Sequence, residues 1–262
     1  MSTDTDGTIR LERDSSALVA TLTIDRPAKL NAVTPRMAEQ LAKAVETCNT
    51  DPDVRAIVVT GAGERAFTVG SDIRALDAYA TPWDFRNRVD YCDALRRLAK
   101  PTIAAINGYA LGGGLETALS CDIRIAVTTA RLGAPEVKLG WIGGGGMSAF
   151  LSRAAGPSNA ALMLMTGDPI DAARALDWHL VSELTEPEDL LPRAHAVAAS
   201  IAARAPIATE TAKVNLRAAA SMPEEQALVY ERDLQTICFA TDDAEEGRRA
   251  FTEKRTPQFQ RR

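Results

Sequence analysis

No stretch of this 262-residue chain approaches the ~20 consecutive apolar residues that a helical membrane span requires. Histidine is scarce, with only His179 and His195, and the four cysteines, Cys48, Cys92, Cys121 and Cys238, are scattered without CxxC spacing. That combination excludes a zinc constellation and a disulfide framework, and the cysteines are expected to be reduced core residues. A basic excess is also missing. The net charge is -5 and no basic run is interleaved with aromatics, which argues against a nucleic-acid surface and leaves any anionic ligand to be met by local cations. Met1 to Thr8 carries Asp4 and Asp6 and no apolar core, unlike a secretory signal or an Arg-rich presequence, so the expected location is cytoplasmic. There is no low-complexity linker and no internal repeat. What remains is ordinary globular composition, 46% apolar and 25% charged, at a length that fits one large domain or one domain with an extension.

Strand and helix signals alternate through the first part of the chain. Ile9 to Arg13 and Leu18 to Ile24 alternate apolar and polar residues around Asp14-Ser15-Ser16, which predicts a hairpin. Thr34-Pro35 reads as an N-cap with proline at the first helical position, opening a helix to about Asn49; Thr81-Pro82 repeats the device and predicts a helix to about Ala99. Val54 to Thr60, Thr102 to Ile106 and Ile123 to Val127 are short β-branched runs suited to buried strands. From about Pro157 onward the pattern turns helical: Pro157 to Met165, Asp171 to Asp177, Glu188 to Arg204, Ile207 to Ala220, Pro223 to Ala240 and Asp242 to Glu253. The expected class is α/β with a helical tail that packs on its own core or on a neighbouring subunit.

Two glutamates beside glycine clusters carry the chemistry: Glu116, in Gly112-Gly113-Gly114-Leu115-Glu116, and Glu136, ahead of Gly140-Trp141-Ile142-Gly143-Gly144-Gly145-Gly146. Glycines let backbone approach a ligand, and a carboxylate in an apolar stretch is costly unless it is paired or its altered proton affinity is used. Gly112 to Leu119 follows a strand and a turn and reads as a helix start with outward amides, suited to an oxyanion; as a tight turn it would need small residues for packing alone. Ala66 to Ile73 forms a second glycine-flanked turn able to add another amide. Other motifs fail. Val58 to Ala66 satisfies G-x-G-x-x-A after a strand, but Phe67-Thr68-Val69-Gly70 continues extended where a dinucleotide site needs a helix. No nucleophile elbow surrounds Ser71 or Ser120, and neither histidine stands in a triad context.

Five segments taken together resemble one family. Arg26-Pro27-Ala28-Lys29-Leu30-Asn31-Ala32, Ala66 to Ile73, Lys100-Pro101 with Asn107 to Glu116, Pro135-Glu136 and Phe251 to Phe259 are similar, in order, to the crotonase (enoyl-CoA hydratase/isomerase) superfamily, over about Ile9 to Phe259. The resemblance implies a crotonase-type spiral of repeated ββα units over 1–205 holding the acyl-CoA site. It implies a C-terminal helical segment over 206–262 that builds a homotrimer or a hexamer of paired trimers. It implies two oxyanion amides, at Ser71 and Gly113, and a catalytic pair, Glu116 as base and Glu136 as acid, with Gly144 bordering the water. CoA would meet Arg26, Lys29, Leu30 and Arg74, with Lys254 arriving from an adjoining subunit; Trp141 and Ile73 would shape the acyl pocket. Acyl-CoA is then the substrate, with no further cofactor and no metal.

The implied reaction is hydration of a trans-2-enoyl-CoA to a 3-hydroxyacyl-CoA, because both glutamates of the hydratase branch are present where isomerases usually keep one. An isomerase, a specialised dehydratase of the carnitinyl-CoA kind, and a non-catalytic or RNA-binding relative are the other readings. Departures bear on the substrate. After Glu136 the family commonly reads Gly-x-x-Pro-Gly-x-Gly-Gly-Thr-x-Arg-Leu, whereas Gly140 to Leu151 lacks that proline, threonine and arginine, and Ser71 stands where alanine is common. Asp77 to Arg88, rich in aromatic and charged residues, matches a variable part of the family expected to line the acyl channel.

Overall fold

The structure is a computed structural model describing residues 6–262. Asp4, part of the amino-terminal reading, lies outside the described residues. The chain opens with the expected hairpin, β1 (Thr8–Asp14) and β2 (Val19–Asp25), antiparallel with Thr8 opposite Asp25. Next comes α1 (Pro35–Thr50), whose Thr34 Oγ1 accepts the Met37 amide at 3.2 Å; Met37, Ala38, Leu41, Val45 and Cys48 recur at helical spacing and form its buried face.

Three turns of strand, strand and helical segment follow. The first is β3 (Ala56–Gly61), β4 (Ala66–Thr68) and the short helices α2 (Ile73–Leu76), α3 (Pro82–Arg86) and α4 (Tyr91–Arg96). The second is β5 (Thr102–Ile106), β6 (Tyr109–Leu111) and α5 (Gly113–Ser120). The third is β7 (Ile123–Val127), β8 (Arg131–Gly133) and a 3₁₀ turn, Pro135–Leu139. The first strand of each turn joins one sheet and the second joins another. After α6 (Met147–Ala155), α7 (Pro157–Thr166), β9 (Ile170–Asp171), α8 (Ala172–Asp177) and β10 (Glu183–Thr185), the sheets read β1-β2-β3-β5-β7-β10 and β4-β6-β8-β9. Every pair from β2 to β10 in the larger sheet is parallel, and β3 and β5 are buried along their whole length, which explains their unbroken apolar runs. This is the crotonase-type spiral.

Helices α9 (Leu190–Ala202), α10 (Pro206–Ala219), α11 (Glu224–Phe239) and α12 (Asp242–Glu253) complete the chain, within a few residues of the expected bounds. The α9 helix packs on β3 and β5. Lys213 of α10 is buried, donates to the Lys100 carbonyl at 2.8 Å and pairs with Asp122 at 2.7 Å. Asp243 and Glu246 accept the backbone amides of Gln258, Gln260 and Arg261, and Arg55 donates to the Phe259 carbonyl, so the tail is tied back to the core.

Two expectations are corrected. The single helix from Pro82 to Ala99 is two helices, because the Asn87 side chain folds back onto the Trp83 carbonyl while Asp90 accepts the Cys92 and Asp93 amides and starts a new helix. Cys48, Cys92 and Cys121 are buried as expected, with burial pushing the Cys48 and Cys121 thiols up to about 11 and about 12, but Cys238 on α11 is only half-buried. Gly61 and Gly63 lead into β4 with no helix between them, so the dinucleotide motif is a strand-to-strand turn.

Candidate active site

Two turns meet where the sequence predicts the oxyanion amides. Gly113 begins α5, and the first four amides of a helix have no intrahelical acceptor. On the other side, Val33 donates to the Gly70 carbonyl at 2.8 Å and Asp72 donates to the Val33 carbonyl at 2.9 Å, so the alternation of extended backbone turns the Ser71 amide away from residue 33. Gly70 has φ of +85°, and a Cβ on it would stand 2.7 Å from the Gly113 nitrogen. Glycine is required there by both conformation and proximity. Among the described residues neither the Ser71 nor the Gly113 amide donates to a protein acceptor.

The Ser71 turn is braced from behind. Arg26, its side chain 9% exposed, pairs with Asp72 at 2.7 Å and donates to the Ala32 carbonyl at 3.3 Å. Asn31 donates to the Ala62 and Ala66 carbonyls and accepts the Arg26 amide, tying Arg26 to Ala32 onto β4.

Glu116 lies three residues beyond Gly113 and therefore on the same helix face. It is 5% exposed, and its Oε1 accepts the Gly145 amide at 2.7 Å and the Met147 amide at 3.1 Å. A Cβ on Gly145 would stand 2.7 Å from Glu116 Oε2, so this glycine run packs directly on a carboxylate. Burial raises the pKa of Glu116, the two amides pull it back, and the neighbouring Glu136 charge raises it further. Glu136, on the 3₁₀ turn, is 9% exposed; its Oε2 has no hydrogen-bond partner, and its pKa is raised chiefly by burial.

Between the ordinary carboxylate pKa and its raised folded value, Glu136 holds its proton better folded than unfolded. Its contribution to stability therefore falls as pH rises through that window and stays low above it. Glu136→Gln is expected to melt higher than the parent at pH about 8 and to differ least from it near pH about 4. Thermal melts across that range check this, and identical curves would show that ionised Glu136 costs the fold nothing.

Both glutamates line one cavity of about 400 Å³, together with Ser71, Ile73, Gly113, Trp141 and Gly144. It therefore brings together all the sequence-predicted catalytic, oxyanion, water-bordering and acyl-pocket residues. Its walls include Phe85 and Arg88 from the variable segment expected to line the acyl channel. Arg26, Lys29, Leu30, Arg74 and Lys254 stand outside it: Lys29, Arg74 and Lys254 are exposed and Leu30 is half-buried, whereas Arg26 is engaged with Asp72. Among the described residues no group of three or more His, Cys, Asp or Glu is placed to hold a metal ion.

Paired carboxylates facing paired backbone amides are equipped for proton transfer beside a developing oxyanion. Residues 14–262 match the sequence profile described as enoyl-CoA hydratase/isomerase. The chain belongs to that family. A probable enoyl-CoA hydratase of Mycobacterium tuberculosis is 40% identical over 261 residues, covering 97% of this chain and 98% of that one. The (E)-benzylidenesuccinyl-CoA hydratase of Thauera aromatica is 38% identical over 245 residues, 92% of this chain and 95% of that one. The enoyl-CoA hydratase subunit I structure from Geobacillus kaustophilus superposes with a TM-score of 0.90 at 35% identity, covering 97% of this chain and 98% of that one.

Within this enoyl-CoA hydratase/isomerase chain, three participants escaped the sequence reading. The Gly145 and Met147 amides hold Glu116, and Tyr91 lines the cavity between Ser71 and Gly113. The start of α6 at Met147 is hidden by a glycine run with no capping side chain, and Tyr91 falls inside the long helix that Thr81-Pro82 predicts.

Proposed function

We propose that this enzyme adds water across the double bond of a trans-2-enoyl-CoA to give a 3-hydroxyacyl-CoA. The observation that carries this is the pair of buried glutamates in one cavity with two outward amides. Their surroundings support different roles. Two amides favour the ionised form of Glu116, which suits a base, whereas burial without a partner for Oε2 favours the protonated form of Glu136, which suits an acid.

The substrate carbonyl accepts hydrogen bonds from the Ser71 and Gly113 amides, which draws charge from C3. Water, bordered by Gly144, attacks C3 as Glu116 takes its proton; the π electrons move onto the thioester oxygen. The enolate then collapses, C2 takes the proton of Glu136, and both additions occur on the face shared by the two carboxylates. Two protons and one oxygen have been added as water, and solvent exchange returns the proton to Glu136. No cofactor beyond the acyl-CoA substrate and no metal take part. Lys29 and Arg74, exposed outside the cavity, and Lys254 from an adjoining subunit meet the CoA phosphates, and Ile73 and Trp141 flank the acyl group. Arg26 supports this region through its brace on Asp72. The enzyme works in the cytoplasm.

Purified protein assayed against a panel of 2-enoyl-CoAs, following loss of conjugated thioester absorbance, tests the reading. Interconversion of 2- and 3-enoyl-CoA without hydration would replace it by an isomerase.

The working unit is a homotrimer or a pair of trimers. No residue of α11 is buried, while Leu228, Val229, Ile237 and Phe239 on it are 48%, 57%, 59% and 65% exposed, apolar surface suited to contact with another copy. Leu234 on the same helix is half-buried. Light scattering is expected to give a trimeric or hexameric mass, and a chain ending before Pro223 is expected to lose it. A monomer at micromolar concentration would overturn the assembly.

A further inference from the structure

Ser71 Oγ and Tyr91 Oη lie 3.1 Å apart in the cavity wall. Two hydroxyls sharing one hydrogen bond use one of their two protons, and among the described residues neither oxygen has a second partner. One O–H proton is therefore left for whatever occupies the cavity. Its location is set by Gly113: a Cβ added there would stand 1.9 Å from Tyr91 Oη, so the phenol rests on the α-carbon of one amide-bearing residue while its partner hydroxyl belongs to the other. The spare donor therefore lies against the two residues whose amides are proposed to hold the thioester oxygen.

We propose that Tyr91 is a catalytic residue, its O–H a third hydrogen-bond donor to the thioester oxygen, and that the Ser71 hydroxyl is a positioning residue that donates to Tyr91 Oη. The assignment rests on the hydratase reading. The direction of the pair follows from acidity. A phenol is a far stronger donor than an aliphatic alcohol, so the arrangement in which Ser71 donates to Tyr91 and Tyr91 donates to the oxygen gaining charge is the more stable one. Burial pushes the phenol pKa well above its usual value, so the proton stays on Tyr91 and is shared with the substrate rather than transferred. The sequence supports the pairing from the other side. Ser71, which stands where alanine is common in the family, is the hydroxyl that orients Tyr91.

A donor aimed at developing charge acts more on kcat than on KM. Tyr91→Phe is expected to lower kcat on a trans-2-enoyl-CoA by ~10² to 10³, as for other oxyanion donors, with KM changed far less. Ser71→Ala leaves Tyr91 O–H in place and is expected to stay within about tenfold of the parent.

The readout that a merely structural role would not move is optical. Hydrogen bonds to the carbonyl of a conjugated thioester shift its absorption to longer wavelength, so an aryl-conjugated 2-enoyl-CoA bound to Tyr91→Phe should be shifted less than on the parent. Site-specific replacement of Tyr91 by a ring-fluorinated tyrosine strengthens the donor with little change of shape and should increase the shift; this arm decides the matter if Tyr91→Phe does not fold. A kcat within about threefold of the parent in a folded Tyr91→Phe, or an unmoved absorption in either variant, would overturn the proposal. A greater loss from Ser71→Ala than from Tyr91→Phe would reverse the pair and also overturn it. If the parent hydrates no enoyl-CoA, the hydratase reading fails, while the absorption shift still reports separately on Tyr91.

Discussion

Glu116→Gln and Glu136→Gln are each expected to lower hydration at least ~100-fold, the low end for a positioned acid or base, while retaining the fold and acyl-CoA binding. Glutamine keeps the volume and can still accept the Gly145 and Met147 amides through its carbonyl, so the loss would report proton transfer rather than collapse of the glycine run. The parent should show a bell-shaped pH dependence. Activity falls at low pH as Glu116 takes up a proton and at high pH as Glu136 loses its own. Both pKa values are raised by burial, so the whole bell stands above the ordinary carboxylate range, and its limbs belong to the coupled pair. Steady-state rates and ligand titrations on each variant check this. Near-normal hydration by either one would remove that carboxylate from the mechanism and favour the isomerase.

The second large effect concerns the Gly113 amide. Gly113→Pro removes the N–H at a first helical position where proline is otherwise tolerated, but its Cβ also meets Tyr91 Oη at 1.9 Å. Gly113→Ala makes the same contact and keeps the amide, so the ratio of their rates cancels that contact and reads the exchange of the N–H for the proline ring. That ratio is expected to be ~10² to 10³, or roughly 2.7 to 4 kcal/mol of transition-state stabilisation. Circular dichroism establishes that both variants fold. Equal rates for folded alanine and proline variants would show that the oxyanion finds its donors elsewhere.

How much of this was legible before the structure depends on whether a feature is local. Thr34-Pro35, Thr241-Asp242 and the β-branched run Thr102 to Ile106 each declare an element within a few residues, and the structure places those elements at or within about one residue of the expected bounds. The Thr81-Pro82 helix failed because an N-cap says where a helix begins, not that Asn87 will end it six residues later. The strands β4, β6, β8 and β9 of the smaller sheet are two or three residues long, too short for periodicity to register.

The candidate site divides along the same line. Glu116 and Glu136 could be singled out because a carboxylate amid glycine and apolar residues is unusual wherever the chain goes. Arg26 could not be assigned from sequence, since an arginine beside a loop reads equally well as a phosphate ligand or as a brace, and only the position of Asp72, far along the chain, settles its observed partner.

By itself the sequence determined the α/β class, the longer strands, the helical tail, the two glutamates and the glycine turns beside them, all properties of residue type and short spacing. The tertiary structure decided what those pieces do together. It brought Gly70 against Gly113, placed the Gly145 and Met147 amides on Glu116 while leaving Glu136 Oε2 without a partner, and set Tyr91 beside Ser71. Each of these depends on the spiral returning the chain to one place after some twenty to forty residues. Proton affinity, amide availability and hydroxyl pairing are set by such neighbours in space, and no local spacing encodes them.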